Sequence, residues 1–184
     1  MKGAYMEKGI NLAVTRSLAD FDVLLDRAIE SVSSKNISVA HDLAEFNTWK
    51  FQVGKYVQIN VAKAEEIPNS WIEGWLGNGK EGETPIFWIG YGWEENENHE
   101  CMLWIEFDAE TCPARHWEKI NKLAGTSGKY CGKIDFEFSQ EYMNAWVHFF
   151  IREEFLKQFY DDNADPDVQR EILTGFINEV LGNI

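Results

Sequence analysis

Nine carboxylates lie between Lys80 and Arg115 with no Lys or Arg among them: Glu81, Glu83, Glu94, Glu95, Glu97, Glu100, Glu106, Asp108 and Glu110. Three of the chain's eight tryptophans, Trp88, Trp93 and Trp104, share the stretch. This mixture has three chemical uses. Paired carboxylates on neighbouring strands can hold a divalent cation for phosphodiester hydrolysis. An acid pair beside an aromatic platform suits sugar binding and glycoside cleavage. Acid interleaved with indole rings also makes a contact surface for a cationic partner, because Trp is enriched where binding energy concentrates.

The motifs that would select a catalytic use are incomplete. Gly77-Asn78-Gly79-Lys80-Glu81-Gly82 matches the dinucleotide-binding glycine pattern, which needs a strand before it and a helix after it. Here the sequence predicts a helix before and a strand after. Gly74 to Lys80 also spells G-x-x-x-x-G-K, but Glu81 stands where a Ser or Thr would hold magnesium, and a carboxylate there repels phosphate. His99, Glu100, Cys101, Cys112 and His116 lack the close pairs that mark zinc sites. The element order is loosely similar to the core of PD-(D/E)xK nucleases. The acid-x-Lys of that core is missing, since Glu106-Phe107-Asp108 and Glu137-Phe138-Ser139 have no Lys and Lys133-Ile134-Asp135 has the order reversed. There is no G-x-S-x-G elbow and no Cys in a recognisable nucleophile frame. No metal and no cofactor is expected.

The chain of 184 residues is 45% hydrophobic and 26% charged, an ordinary globular mixture that predicts one domain over residues 1–184 with a substantial core. Its net charge of −14 is not ordinary. Such a charge repels nucleic acid and anionic lipid, and Lys and Arg are too scattered for a phosphate-binding stripe. Direct nucleic-acid binding and membrane association are therefore not expected. Met1 to Arg16 lacks the apolar core of a secretory signal, and no run approaches the roughly 18 apolar residues that span a bilayer. Cys101, Cys112 and Cys131, odd in number and irregular in spacing, argue for reduced thiols and a cytoplasmic location.

The elements that must position these groups follow from periodicity. Leu18, Phe21, Leu25, Ala28, Ile29 and Val32 recur at helical spacing and predict a helix over 17–33, with Ser17 as its cap. A short helix is expected over 39–46. Alternation predicts strands over 56–62, 86–93, 101–107 and 130–138, with residues 94–100 as a hairpin connection. Short helices are expected from Pro68 through Leu76 and from Pro113 to Leu123. The density of Phe, Trp, Met and Val after Ser139 predicts a long buried helix to Tyr160. Asp165 and Pro166 then open a final amphipathic helix. The fold expected is α+β: a mainly antiparallel sheet of about four strands, helices packed on one face, and two C-terminal helices.

Register turns this pattern into a candidate site. If the apolar strand faces all meet the helices, the opposite face collects Glu94, Glu106, Asp108, Asp135 and Glu137 around Trp88 and Trp104, with Gly90 and Gly92 leaving a shallow spot. The function expected is that of a small acidic protein that works by binding a basic protein, such as an inhibitor or immunity-type protein against a toxin, nuclease or defence enzyme. The competing readings are a divergent metal-dependent hydrolase using the same carboxylates and a carbohydrate-binding module.

Overall fold

The computed structural model describes residues 12–46, 50–59, 86–94, 102–108, 127–140, 144–161 and 163–183. Helix α1 (Leu12–Glu30) leads into β1 (Ile37–Phe46), β2 (Lys50–Ile59), β3 (Ile86–Glu94), β4 (Met102–Asp108), β5 (Cys131–Ser139) and β6 (Asn144–Ile151). A short helix α2 (Glu153–Leu156), a 3-10 turn (Lys157–Phe159) and helix α3 (Pro166–Gly182) follow. The described strands form one sheet in the order β1-β2-β3-β4-β6-β5, every neighbouring pair antiparallel. The α+β class and the antiparallel sheet agree with the sequence expectation, whereas six described strands exceed the four expected.

The main correction is β6. Residues 144–151 were expected inside a long helix but form a strand inserted between β4 and β5. Ala145, Val147, Phe149 and Ile151 are buried and alternate with the half-buried Trp146, His148 and Phe150. That is a period of two, and β-branched and aromatic residues favour a strand buried on both sides. Residues 39–46, expected as a helix, belong to β1. Helix α1 begins at Leu12, so Ser17 lies inside it and is not its cap. The expected helices over 68–76 and 113–123 lie outside the described residues, as does the expected connection over 94–100 apart from Glu94, which ends β3.

One hydrophobic cluster joins the apolar strand faces to the helices. Leu25, Ala28 and Ile29 of α1 and Ile172, Leu173, Phe176, Ile177, Val180 and Leu181 of α3 belong to it. So do Val57, Ile89, Ile105, Phe107, Ile134 and Phe149 from five strands. Polar side chains of α3 fasten the surrounding loops. Asn178 Oδ1 accepts from the backbone N–H of Ser33 and Ser34 at 3.1 and 2.8 Å. The Glu179 carboxylate accepts from Tyr130 and Cys131 N–H at 3.0 and 2.9 Å, fixing the start of β5. As expected, Asp165 caps α3, accepting from Asp167 N–H at 2.9 Å, with Pro166 at the first helical position. No described helix is long and apolar enough to cross a membrane.

Lys55 interrupts the apolar face of β2. It is only 2% exposed, and its Nζ lies 2.7 Å from Asp22, 3.2 Å from Asp26 and 2.8 Å from Asp42. Burial alone would lower its pKa, but the three carboxylates outweigh that and raise it above the ordinary lysine value. The cluster ties α1 to both β1 and β2.

Candidate functional site

Antiparallel register brings the second sheet face together in rows. Tyr56, Trp88, Glu106, His148 and Asp135 stand opposite one another in turn across β2, β3, β4, β6 and β5. The next row is Gly54, Gly90, Trp104, Phe150 and Lys133. A third row places Trp146 between Asp108 and Glu137. Directly opposed side chains share a face, so these residues form one surface.

The two tryptophans singled out from the sequence do meet, with ring centroids 4.5 Å apart. They were expected among exposed carboxylates. Instead Trp88 is 3% and Trp104 5% exposed, although neither belongs to the helix-side cluster. They stand on this face but offer little surface to a partner. The facing glycines make room for them. A Cβ on Gly54 or on Gly90 would come within 2.8 Å of Trp88 Cζ2 and would also collide with the neighbouring strand's carbonyl. Trp88 Nε1 is buried and has no hydrogen-bond partner among the described residues.

The polar groups are organised around indole and imidazole donors. Glu106 Oε2 accepts from Trp104 Nε1 at 3.3 Å and lies 3.0 Å from His148 Nε2. Asp108 Oδ2 accepts from Trp146 Nε1 at 3.1 Å. Asp135 forms an ion pair with Lys133, whose Nζ also sits 5.7 Å from the Phe150 ring centre. Glu137 is exposed, and Asp135 is 40% exposed. Thus Glu106, Asp108, Asp135 and Glu137 occupy one face, as the register argument expects. Glu94 ends β3 opposite Lys50.

Three contributors escaped the sequence reading: Trp146, His148 and Phe150. All lie on β6, and the alternation of 145–151 was the signal that could have revealed them. Among the described residues no three His, Cys, Asp or Glu side chains converge to hold a metal ion. The arrangement sets hydrogen-bonded carboxylates beside half-buried rings. No protein family, curated protein or solved structure matches the chain.

Proposed function

We propose that this protein acts by binding a basic protein partner through the β4–β6–β5 part of the sheet, as an inhibitor or immunity-type protein does. Helices α1 and α3 share their hydrophobic cluster with the opposite face. The observation that supports the reading is the clustering of Glu106, Asp108, Asp135 and Glu137 around the half-buried rings of Trp146, His148 and Phe150. The net charge of −14 steers a cationic protein toward the molecule, and salt screens that attraction. Contact then buries the rings, with Trp104 beside Phe150 on the same face at 6.5 Å between ring centroids. The indole bonds to Glu106 and Asp108 fix these carboxylates before the partner arrives, which lowers the ordering cost of binding. The cytoplasm is the proposed setting.

The test is native co-purification at low salt, comparing the wild type with an E106Q/D108N variant whose folding is verified by circular dichroism. A stoichiometric basic protein recovered only with the wild type, and lost as salt rises, is the expected result. Equal recovery by both proteins, or no partner at any salt concentration, refutes the reading.

A further inference from the structure

A cavity of about 780 Å³ lies where α1 meets the sheet and the segment leading into α3. Phe21 and Leu24 of α1, Tyr91 of β3, Leu103 of β4, and Leu156 and Phe159 line it. Leu103 is buried and belongs to the helix-side cluster, and the other five are half-buried. Phe21 and Tyr91 meet edge to face, with ring centroids 4.8 Å apart. Small-molecule sites are clefts of about 300–1,000 Å³, mostly apolar, with a few polar groups that orient the ligand. This cavity has that size and that lining.

Three charged residues also line it: Asp20, Arg27 and Asp161. The two acids are already engaged. Asp161 Oδ1 accepts from Asn163 N–H at 2.9 Å, and Asp20 has a partner of its own. Arg27 differs. Its backbone carbonyl accepts from the Ser31 hydroxyl at 2.8 Å, but its guanidinium has no hydrogen-bond or ion-pair partner among the described residues. Arg152 donates to Gly128 O at 2.7 and 3.0 Å, and Arg170 pairs with Asp167 at 3.2 Å. In a chain with 31 acidic residues, an arginine beside an apolar cavity has stayed uncommitted.

From this juxtaposition we propose that the cavity binds a small apolar carboxylate, an acid with an aryl or alkyl body. The carboxylate meets Arg27, whose planar guanidinium can hold it through two parallel N–H···O bonds. The body lies against Phe21, Leu24, Leu156 and Phe159, where burial of apolar surface supplies most of the affinity. An organic cation of the same shape meets Arg27 as a like charge. The net charge of −14 opposes any anion at long range, but salt screens charges more than about 8 Å apart under physiological conditions, so the local guanidinium decides. The site is separate from the β4–β6–β5 face and does not depend on the partner reading above.

The probes are 4-phenylbutanoate, 4-phenylbutylammonium and 4-phenylbutanol, titrated into the full chain and followed by amide chemical shifts in NMR. The expected result is saturable binding of the acid, with shifts centred on Leu24, Leu156 and Phe159, at least about tenfold tighter than the amine or the alcohol. Arg27→Gln, an exposed helix position, should weaken the acid by about tenfold and leave the alcohol unchanged. Ala164→Trp, which places a large ring in the cavity wall, should block all three. Should Ala164→Trp fail to fold by circular dichroism, the Arg27→Gln comparison decides alone. Absence of saturable acid binding overturns the proposal, as do shifts confined to residues away from the cavity. An amine that binds as tightly as the acid overturns it too, and so does an acid affinity unmoved by Arg27→Gln.

Discussion

Replacing Lys55 by Met separates two accounts of what holds α1 to the sheet. The ammonium sits at 2.7–3.2 Å from three carboxylates whose side chains are 43%, 46% and 69% exposed, while the lysine itself is 2% exposed. A charge-assisted hydrogen bond contributes about 1.5–3 kcal/mol when buried and an exposed ion pair about 0.2–1 kcal/mol. The exposed acids place each of these bonds toward the lower end, roughly 1 kcal/mol apiece. The desolvation of one ammonium opposes their sum. Lys55→Met keeps the apolar stem but leaves Asp22, Asp26 and Asp42 converging without a cation. We expect a loss of about 2–3 kcal/mol, a Tm fall of roughly 5–10 °C for a chain of this size. Urea melts should show a lower midpoint with an unchanged slope. Adding Asp22→Asn to Lys55→Met should restore part of the loss, because it removes one of the stranded charges. The raised lysine pKa means this contribution is complete below the usual lysine value of 10.5 and is lost only as pH climbs through the higher folded value. A Lys55→Met protein within about 0.5 kcal/mol of the wild type, or a double variant less stable than the single one, refutes the reasoning.

The other predictions concern the facing glycines, the cap, the loop clamp and the thiol. Gly90→Ala should destabilise by about 2 kcal/mol or more, since its Cβ meets β2 backbone and the Trp88 ring, and the red shift of tryptophan emission on unfolding should come at lower urea. Asp165→Ala should cost about 1 kcal/mol in a thermal melt through loss of the α3 cap. Glu179→Ala leaves the Tyr130 and Cys131 N–H groups without their acceptor and should cost about 2 kcal/mol, with faster amide exchange at the start of β5. Burial pushes the Cys131 thiol up to about 11 from an ordinary 9.0, so peptide mapping after alkylation at pH 8 should find Cys131 unmodified in the native protein and modified in urea. Its contribution to stability is fully present below the ordinary thiol value and lost as pH rises from there to about 11.

The elements legible in the sequence are those whose period is uncontested. The stripe Ile172, Leu173, Phe176, Ile177 and Val180 repeats at helical spacing behind an Asp-Pro start, and α3 forms there. Leu103, Ile105 and Phe107 alternate with polar or mixed positions, and β4 forms within one residue of the expected bounds. The face shared by Glu106, Asp108, Asp135 and Glu137 was legible for the same reason: parity along each strand fixes the face once the apolar side is known. Residues 144–151 were not legible, because both faces of β6 carry large side chains. Trp146, His148 and Phe150 on one side mask the alternation of Ala145, Val147, Phe149 and Ile151 on the other, and density read alone suggests a buried helix.

The tryptophans were expected at the surface for another reason: that expectation treats the whole face opposite the helices as solvated. Inserting β6 makes β4 an interior strand, opposite Phe150 at Trp104 and opposite His148 at Glu106. Trp104 is 5% exposed there, packed against Trp88 and Phe150. The insertion adds Trp146, His148 and Phe150 to the face beside Asp135 and Glu137, which were expected there. Along this face Trp88 and Trp104 are buried, whereas Asp135 and Glu137 of the last strand in the order are partly or fully exposed. Variants of Trp104 should act mainly on stability, whereas variants of Asp135 and Glu137 should change partner binding while the fold persists.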